Sequence, residues 1–109
     1  MSEIIGGAGA KSGLVSNSGL GSPVQAWADY SSSRSSGTVY TNTTGRPIQV
    51  VASAALAHGH IWANINGGTD VYAGGYNNWT PTVAFIVPSG NTYEISASDG
   101  NVDRWQELR

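Results

Sequence analysis

His60-Ile61-Trp62-Ala63-Asn64-Ile65-Asn66-Gly67-Gly68-Thr69-Asp70-Val71-Tyr72-Ala73 is the stretch that decides the fold. Ile61, Ala63 and Ile65 alternate with polar or aromatic residues, the two-residue period of a half-buried strand. Asn66-Gly67 follows, the strongest short hairpin signal, with Gly68 placed to make a bulge. Thr69–Ala73 then returns antiparallel. Outward from this hairpin the same texture repeats. Val24–Asp29 alternates, Thr38–Asn42 sets Val39 and Thr41 against Tyr40, and Ile48–Ala55 is long, β-branched and central. Thr82–Val87 is apolar, and Thr92–Ser98 alternates Tyr93, Ile95 and Ala97 with polar residues. Residues 31–37 read as a loop, and Thr43-Thr44-Gly45-Arg46-Pro47, Pro88-Ser89-Gly90-Asn91 and Asp99-Gly100-Asn101 as turns. Val102–Leu108 is short enough for a helix, but the hairpin rhythm favours a strand. No run of ten residues holds a helical period. Antiparallel strands without crossover helices predict an all-β fold, an antiparallel, jelly-roll-like β-sandwich over 23–109.

Residues 1–22 differ. GGAGAKSGLVSNSGLGS, residues 6–22, is Gly- and Ser-rich without an apolar period, and reads as an N-terminal arm or linker. The 109 residues amount to one small domain whose core is modest. With no cysteine, disulfides cannot supplement that core. Oligomerisation or metal could.

Charged residues are 11% of the chain and the net charge is −2, so the clustered cations needed for nucleic acid or an anionic membrane surface are missing. No stretch suits membrane insertion. Met1-Ser2-Glu3-Ile4-Ile5 lacks the basic and apolar regions of a secretory signal, which predicts synthesis in the cytoplasm. Asn42-Thr43-Thr44 and Asn78-Trp79-Thr80 match the glycosylation pattern, most simply by chance.

Catalytic patterns are lacking. The serines form no nucleophile elbow, and most carboxylates sit in or beside turns, where Asp bonds to local backbone. The sequence leaves open a glycosidase pair such as Asp70 and Asp99. The reading is therefore of a protein that is not an enzyme. His58-Gly59-His60 puts two imidazoles on one side of a strand. One chain supplies two ligands, whereas three chains about an axis would supply six, enough for octahedral iron or a similar transition metal. The plainer alternative is two polar residues at a loop–strand junction, with no cofactor required.

Four tryptophans are many for this length. Aromatic faces stack on the apolar faces of sugars, and Asn amides both donate to and accept from hydroxyls. The loop residues Tyr76, Asn77, Asn78 and Trp79, with Trp62 and Tyr72, are thus the candidate saccharide contacts. The alternative is that Trp62, Tyr72 and Trp79 pack in the core or at a subunit interface. Trp105 is expected to anchor the last strand in the core, and Arg46 to serve its turn.

Three segments, Tyr40-Thr41-Asn42-Thr43-Thr44-Gly45-Arg46-Pro47-Ile48, Phe85-Ile86-Val87-Pro88-Ser89-Gly90-Asn91-Thr92-Tyr93 and Trp105-Gln106-Glu107-Leu108-Arg109, carry a further signal. With the Arg-bearing loop 31–37 before them, they resemble in order and spacing a β-sandwich module at the C-terminal ends of bacteriophage and prophage tail fibres. Ile4–Gly13 resembles segments that open or link such phage structural proteins. The resemblance implies a homotrimer in the virion, made in the host cytoplasm, associated with other tail-fibre proteins and recognising a bacterial surface receptor such as a polysaccharide. Fibre tips of another type bind iron through H-x-H pairs on a three-fold axis, a pattern that His58 and His60 match once. Two other functions stay open: a structural trimerisation or capping domain that binds no receptor, and a glycan-degrading enzyme.

Overall fold

The computed structural model describes residues 20, 24–55, 59–75, 79–98 and 100–109. They form eight strands: β1 (Trp27–Asp29), β2 (Val39–Thr41), β3 (Ile48–Ala54), β4 (His60–Ile65), β5 (Thr69–Gly74), β6 (Thr82–Val87), β7 (Thr92–Ala97) and β8 (Val102–Leu108). Two four-stranded sheets result, in the orders β1-β8-β3-β6 and β2-β7-β4-β5, with every described pairing antiparallel. Every connection except the β4–β5 hairpin passes from one sheet to the other. This is the jelly-roll order, and the described residues contain no helix.

Alternation fills the space between the sheets. Ile48, Val50, Ala52 and Ala54 face Ile61 and Ala63 of the other sheet, with Val83, Phe85, Val87, Tyr93, Ile95, Ala97 and Trp105 completing the core. Each fully buried Val, Ile or Phe contributes about 1.5–3 kcal/mol of transfer free energy. The turns match their chemistry. Asn66 and Gly67 both have positive φ, 56° and 78°, and Gly68 N–H donates to Ile65 O, as a primed hairpin turn requires. Gly90, at φ 81°, takes the left-handed position of the Pro88–Asn91 turn. β8 is a strand, as its rhythm suggested. β1 is shorter than the alternating run 24–29, because only Trp27–Asp29 meet β8, and all three are exposed.

Two polar side chains are fully buried where alternation alone would place apolar ones. Glu107 follows Trp105 on the inward face of β8 and is 0% exposed. Arg34 donates to it through Nε (3.1 Å to Oε2) and Nη2 (3.2 Å to Oε1). Tyr93 Oη and Trp105 Nε1 each donate to Oε2 at 2.9 Å. Arg109 Nε lies 3.1 Å from Oε1 but makes no hydrogen bond, so its pull is Coulombic. The Arg34 guanidinium also lies 4.4 Å from the Tyr30 ring centre and 4.8 Å from that of Tyr40, and Tyr40 meets Trp105 edge to face. Burial raises the Tyr93 phenol to a pKa of about 12, and the adjacent Glu107 carboxylate adds to the effect.

Asn42 is the second. Its Nδ2 donates to Arg46 O (2.7 Å) and Val87 O (2.9 Å), and its Oδ1 accepts from Thr44 N and Oγ1. Asn42 N–H donates to Asn91 O and Gly90 N–H donates to Asn42 O, which ties the β2–β3 turn to the β6–β7 turn. A buried amide with both hydrogens committed is not a glycosylation acceptor. Within the same turn the Arg46 carbonyl accepts from Asn42 Nδ2 and Thr44 Oγ1.

Candidate functional site

The outward face of β2-β7-β4-β5 follows from the parity that builds the core. With Ile61 and Ala63 inward, β4 turns His60, Trp62 and Asn64 out. In register with it, β5 turns out Asp70, Tyr72 and Gly74, while β7 contributes Thr92, Glu94 and Ser96. The face is laid out in cross-strand rows. Ser96, Trp62 and Tyr72 form one, and Glu94, Asn64 and Asp70 the next. Directly opposed side chains in such rows have Cβ atoms about 5 Å apart, which makes Trp62 and Tyr72 register neighbours, with the Tyr72 ring leaning on His60 and no ring contact between Trp62 and Tyr72 among the described residues.

Trp62 is half-buried and Tyr72 is 61% exposed. The Tyr72 hydroxyl is hydrogen-bonded to His60 Nδ1, and the two rings lie 5.6 Å apart at 32°. Gly74, opposite His60, leaves room for this: a Cβ there would stand 3.4 Å from Nδ1. The His60 backbone N–H donates to Ser98 Oγ at 2.9 Å. Asn64 Nδ2 donates to Asp70 Oδ1 at 2.7 Å, which orients both side chains. The result is a pleated surface with a Trp–Tyr–His strip beside a polar row.

Of the residues the sequence singled out, Trp62, Tyr72 and His60 come together. Trp79 is 75% exposed on the β5–β6 connection, whose start is held by Gly75 N–H donating to Gly59 O. No ring contact joins Trp79 to Trp62 or Tyr72 among the described residues. Tyr76, Asn77, Asn78 and His58 lie outside the described residues, as does Asp99 of the postulated acid pair. Trp105 is a core residue as expected. Among the described residues no three His, Cys, Asp or Glu side chains gather as a metal shell, and His60 Nδ1 is engaged by Tyr72. No described helix is long and apolar enough to cross a membrane.

Asn64, Asp70, Glu94 and Ser96 went unrecognised in the sequence as members of this face. The hairpin register would have revealed Asn64 and Asp70, since Asn66-Gly67 fixes which β4 and β5 residues oppose. Glu94 and Ser96 depend on β7 pairing with β4, a contact between strands separated by two others in sequence.

The other sheet's outer surface carries an open polar hollow of about 410 Å³ lined by Asp29, Ser31, Asp103, Arg104 and Gln106. Hydrogen bonds from Ser31 Oγ and N, with Arg104 nearby, hold the Asp29 carboxyl below its ordinary range. A carboxylate so held is a poor general acid.

The chain matches no protein-family model, and neither a curated protein nor a solved structure is found similar to it.

Proposed function

We propose that this chain is a non-catalytic recognition domain of a phage tail fibre, holding a bacterial surface polysaccharide against the outward face of β2-β7-β4-β5. The observation that carries the reading is the cross-strand pair Trp62–Tyr72, set side by side on an exposed sheet and braced by His60. A sugar ring laid on that strip covers its apolar face with aromatic carbon, and its hydroxyls reach Asn64, Ser96 and the carboxylates. Both side chains sit on paired strands, so little ordering accompanies binding. The reading needs no cofactor. Its placement in the virion rests on the tail-fibre resemblance of the three segments.

The test is adsorption of the purified domain to host cells and to their extracted polysaccharide. Trp62→Ala and Tyr72→Ala are each expected to weaken binding at least about tenfold, as truncating a central aromatic contact does. Asp103→Ala, in the polar hollow of the opposite sheet and outside both proposed surfaces, is the control and leaves binding intact. Unchanged binding in both aromatic variants, with folding preserved, would remove the proposal.

A second surface supports self-association. Trp27, Leu108, Gln49 and Ile86 form a row across the outer face of β1-β8-β3-β6, with Trp27 51% and Ile86 41% exposed. Packing of this uncharged row between copies fits the homotrimer that a fibre requires. Solution mass by light scattering tests it, with a trimer supporting the fibre assignment and a clean monomer opposing it.

A further inference from the structure

Resting on the saccharide-binding reading, we infer that the Trp62–Tyr72 face selects its glycan by charge: it favours sugars bearing a free amine and rejects acidic ones. The chain has five Lys and Arg residues. Arg34 and Arg109 are committed to the buried Glu107. Arg104 lines the hollow of the other sheet, and Arg46 belongs to the β2–β3 turn. The fifth, Lys11, lies outside the described residues. Among the outward residues of the four strands of this face are Glu94 and Asp70 and no Lys or Arg.

The hydrogen-bonding inventory points the same way. Ionised Glu94 and Asp70 can only accept. Asn64 gives one amide hydrogen to Asp70 and keeps its second hydrogen and its carbonyl oxygen for a ligand, so the two carboxylates tip the row towards acceptors. The polar row beside the aromatic strip is thus rich in acceptors. It suits a ligand that supplies hydrogens, through hydroxyls and above all an ammonium group. A uronate, sulfate or phosphate brings acceptors against acceptors and negative charge against negative charge.

The geometry brings the two features within one sugar's reach. Rows on one face of a strand are two residues apart, about 7 Å, and neighbouring strands about 4.8 Å. A ring stacked on Trp62 therefore has a substituent within roughly 7 Å of both carboxylates. At that distance, with partial solvent screening, two carboxylates separate an ammonium from a carboxylate ligand by roughly tenfold in affinity.

The test is titration of the whole chain with glucosamine, N-acetylglucosamine and galacturonate oligomers of equal length, near neutral pH and at low salt. The expected order is amine, then acetamide, then uronate, with roughly tenfold between the extremes and a smaller spread in high salt. In Glu94→Gln/Asp70→Asn the extremes should converge to within about twofold, and Trp62→Ala should weaken all three alike. Glycans that bind with no charge order, or a charge order that survives the double substitution, would overturn the inference while leaving the aromatic platform standing. Failure of all three oligomers and of host polysaccharide to bind would overturn both.

Discussion

Glu107→Gln isolates the charge at the centre of the buried network without altering its shape. Three donors converge on Oε2: Arg34 Nε, Tyr93 Oη and Trp105 Nε1. A Gln oxygen placed there keeps all three, but as bonds to a neutral acceptor, each weaker by about 1 kcal/mol. The Gln NH2 then takes the place of Oε1, where Arg34 Nη2 donated and Arg109 Nε sat 3.1 Å away. That bond is lost, and two guanidinium groups are left facing a donor. Partial relaxation brings the sum to about 3–5 kcal/mol, the range found when one partner of a buried ion pair is removed. Against a typical 5–15 kcal/mol of total stability, this is a large share. Urea unfolding followed by tryptophan fluorescence measures it, since Trp105 bonds directly to Glu107. In a domain of this size the loss should lower Tm by more than about 12 °C. Tyr93→Phe, which removes one donor and leaves the carboxylate with its other partners, should cost less, about 1.5–3 kcal/mol for one buried bond to a charged group. Equal costs for the two variants, or a neutral Glu107→Gln, would refute the assignment of Glu107 as the ionised hub of this end of the sandwich.

Three further outcomes follow from the same geometry. Asn42→Asp should destabilise more than Asn42→Ala in urea titrations, by about 3 kcal/mol against wild type, because a buried carboxylate then faces the carbonyls of Arg46 and Val87 that now receive its hydrogens. The phenol of Tyr93, held protonated up to about pH 12, implies a fall in stability at high pH. The unfolded chain loses this proton near pH 10 and the folded chain later, so the contribution is complete below pH 10 and disappears as pH rises towards 12. Tyr93→Phe should flatten that limb of the pH–stability curve. Gly67→Ala should cost about 1 kcal/mol and several degrees in Tm, while Gly68→Ala costs little. Both positions have open space around them, but only Gly67 has positive φ.

The sequence was sufficient for whatever depends on neighbours along the chain. Alternation in His60–Ile65 and Thr92–Ala97 identified those strands and their two faces, the apolar run identified Thr82–Val87, and Asn66-Gly67 identified the hairpin, whereas the pairing of Trp62 with Tyr72 came from the register. The β-sandwich was legible for that reason, since a two-residue period and a primed turn are local properties. Contacts between strands distant in sequence were decided only by the tertiary structure. Glu107 reads as a surface residue until Arg34, 73 positions earlier, is folded against it. Asn42 reads as a turn residue matching a glycosylation pattern by chance, and only the fold shows its amide buried and bonded to Arg46 O and Val87 O. Likewise, Glu94 joins Asn64 and Asp70 in one row only because β7 lies beside β4. Burying a charge or an amide is favourable only when its partners are already in place, and those partners come from elsewhere in the chain.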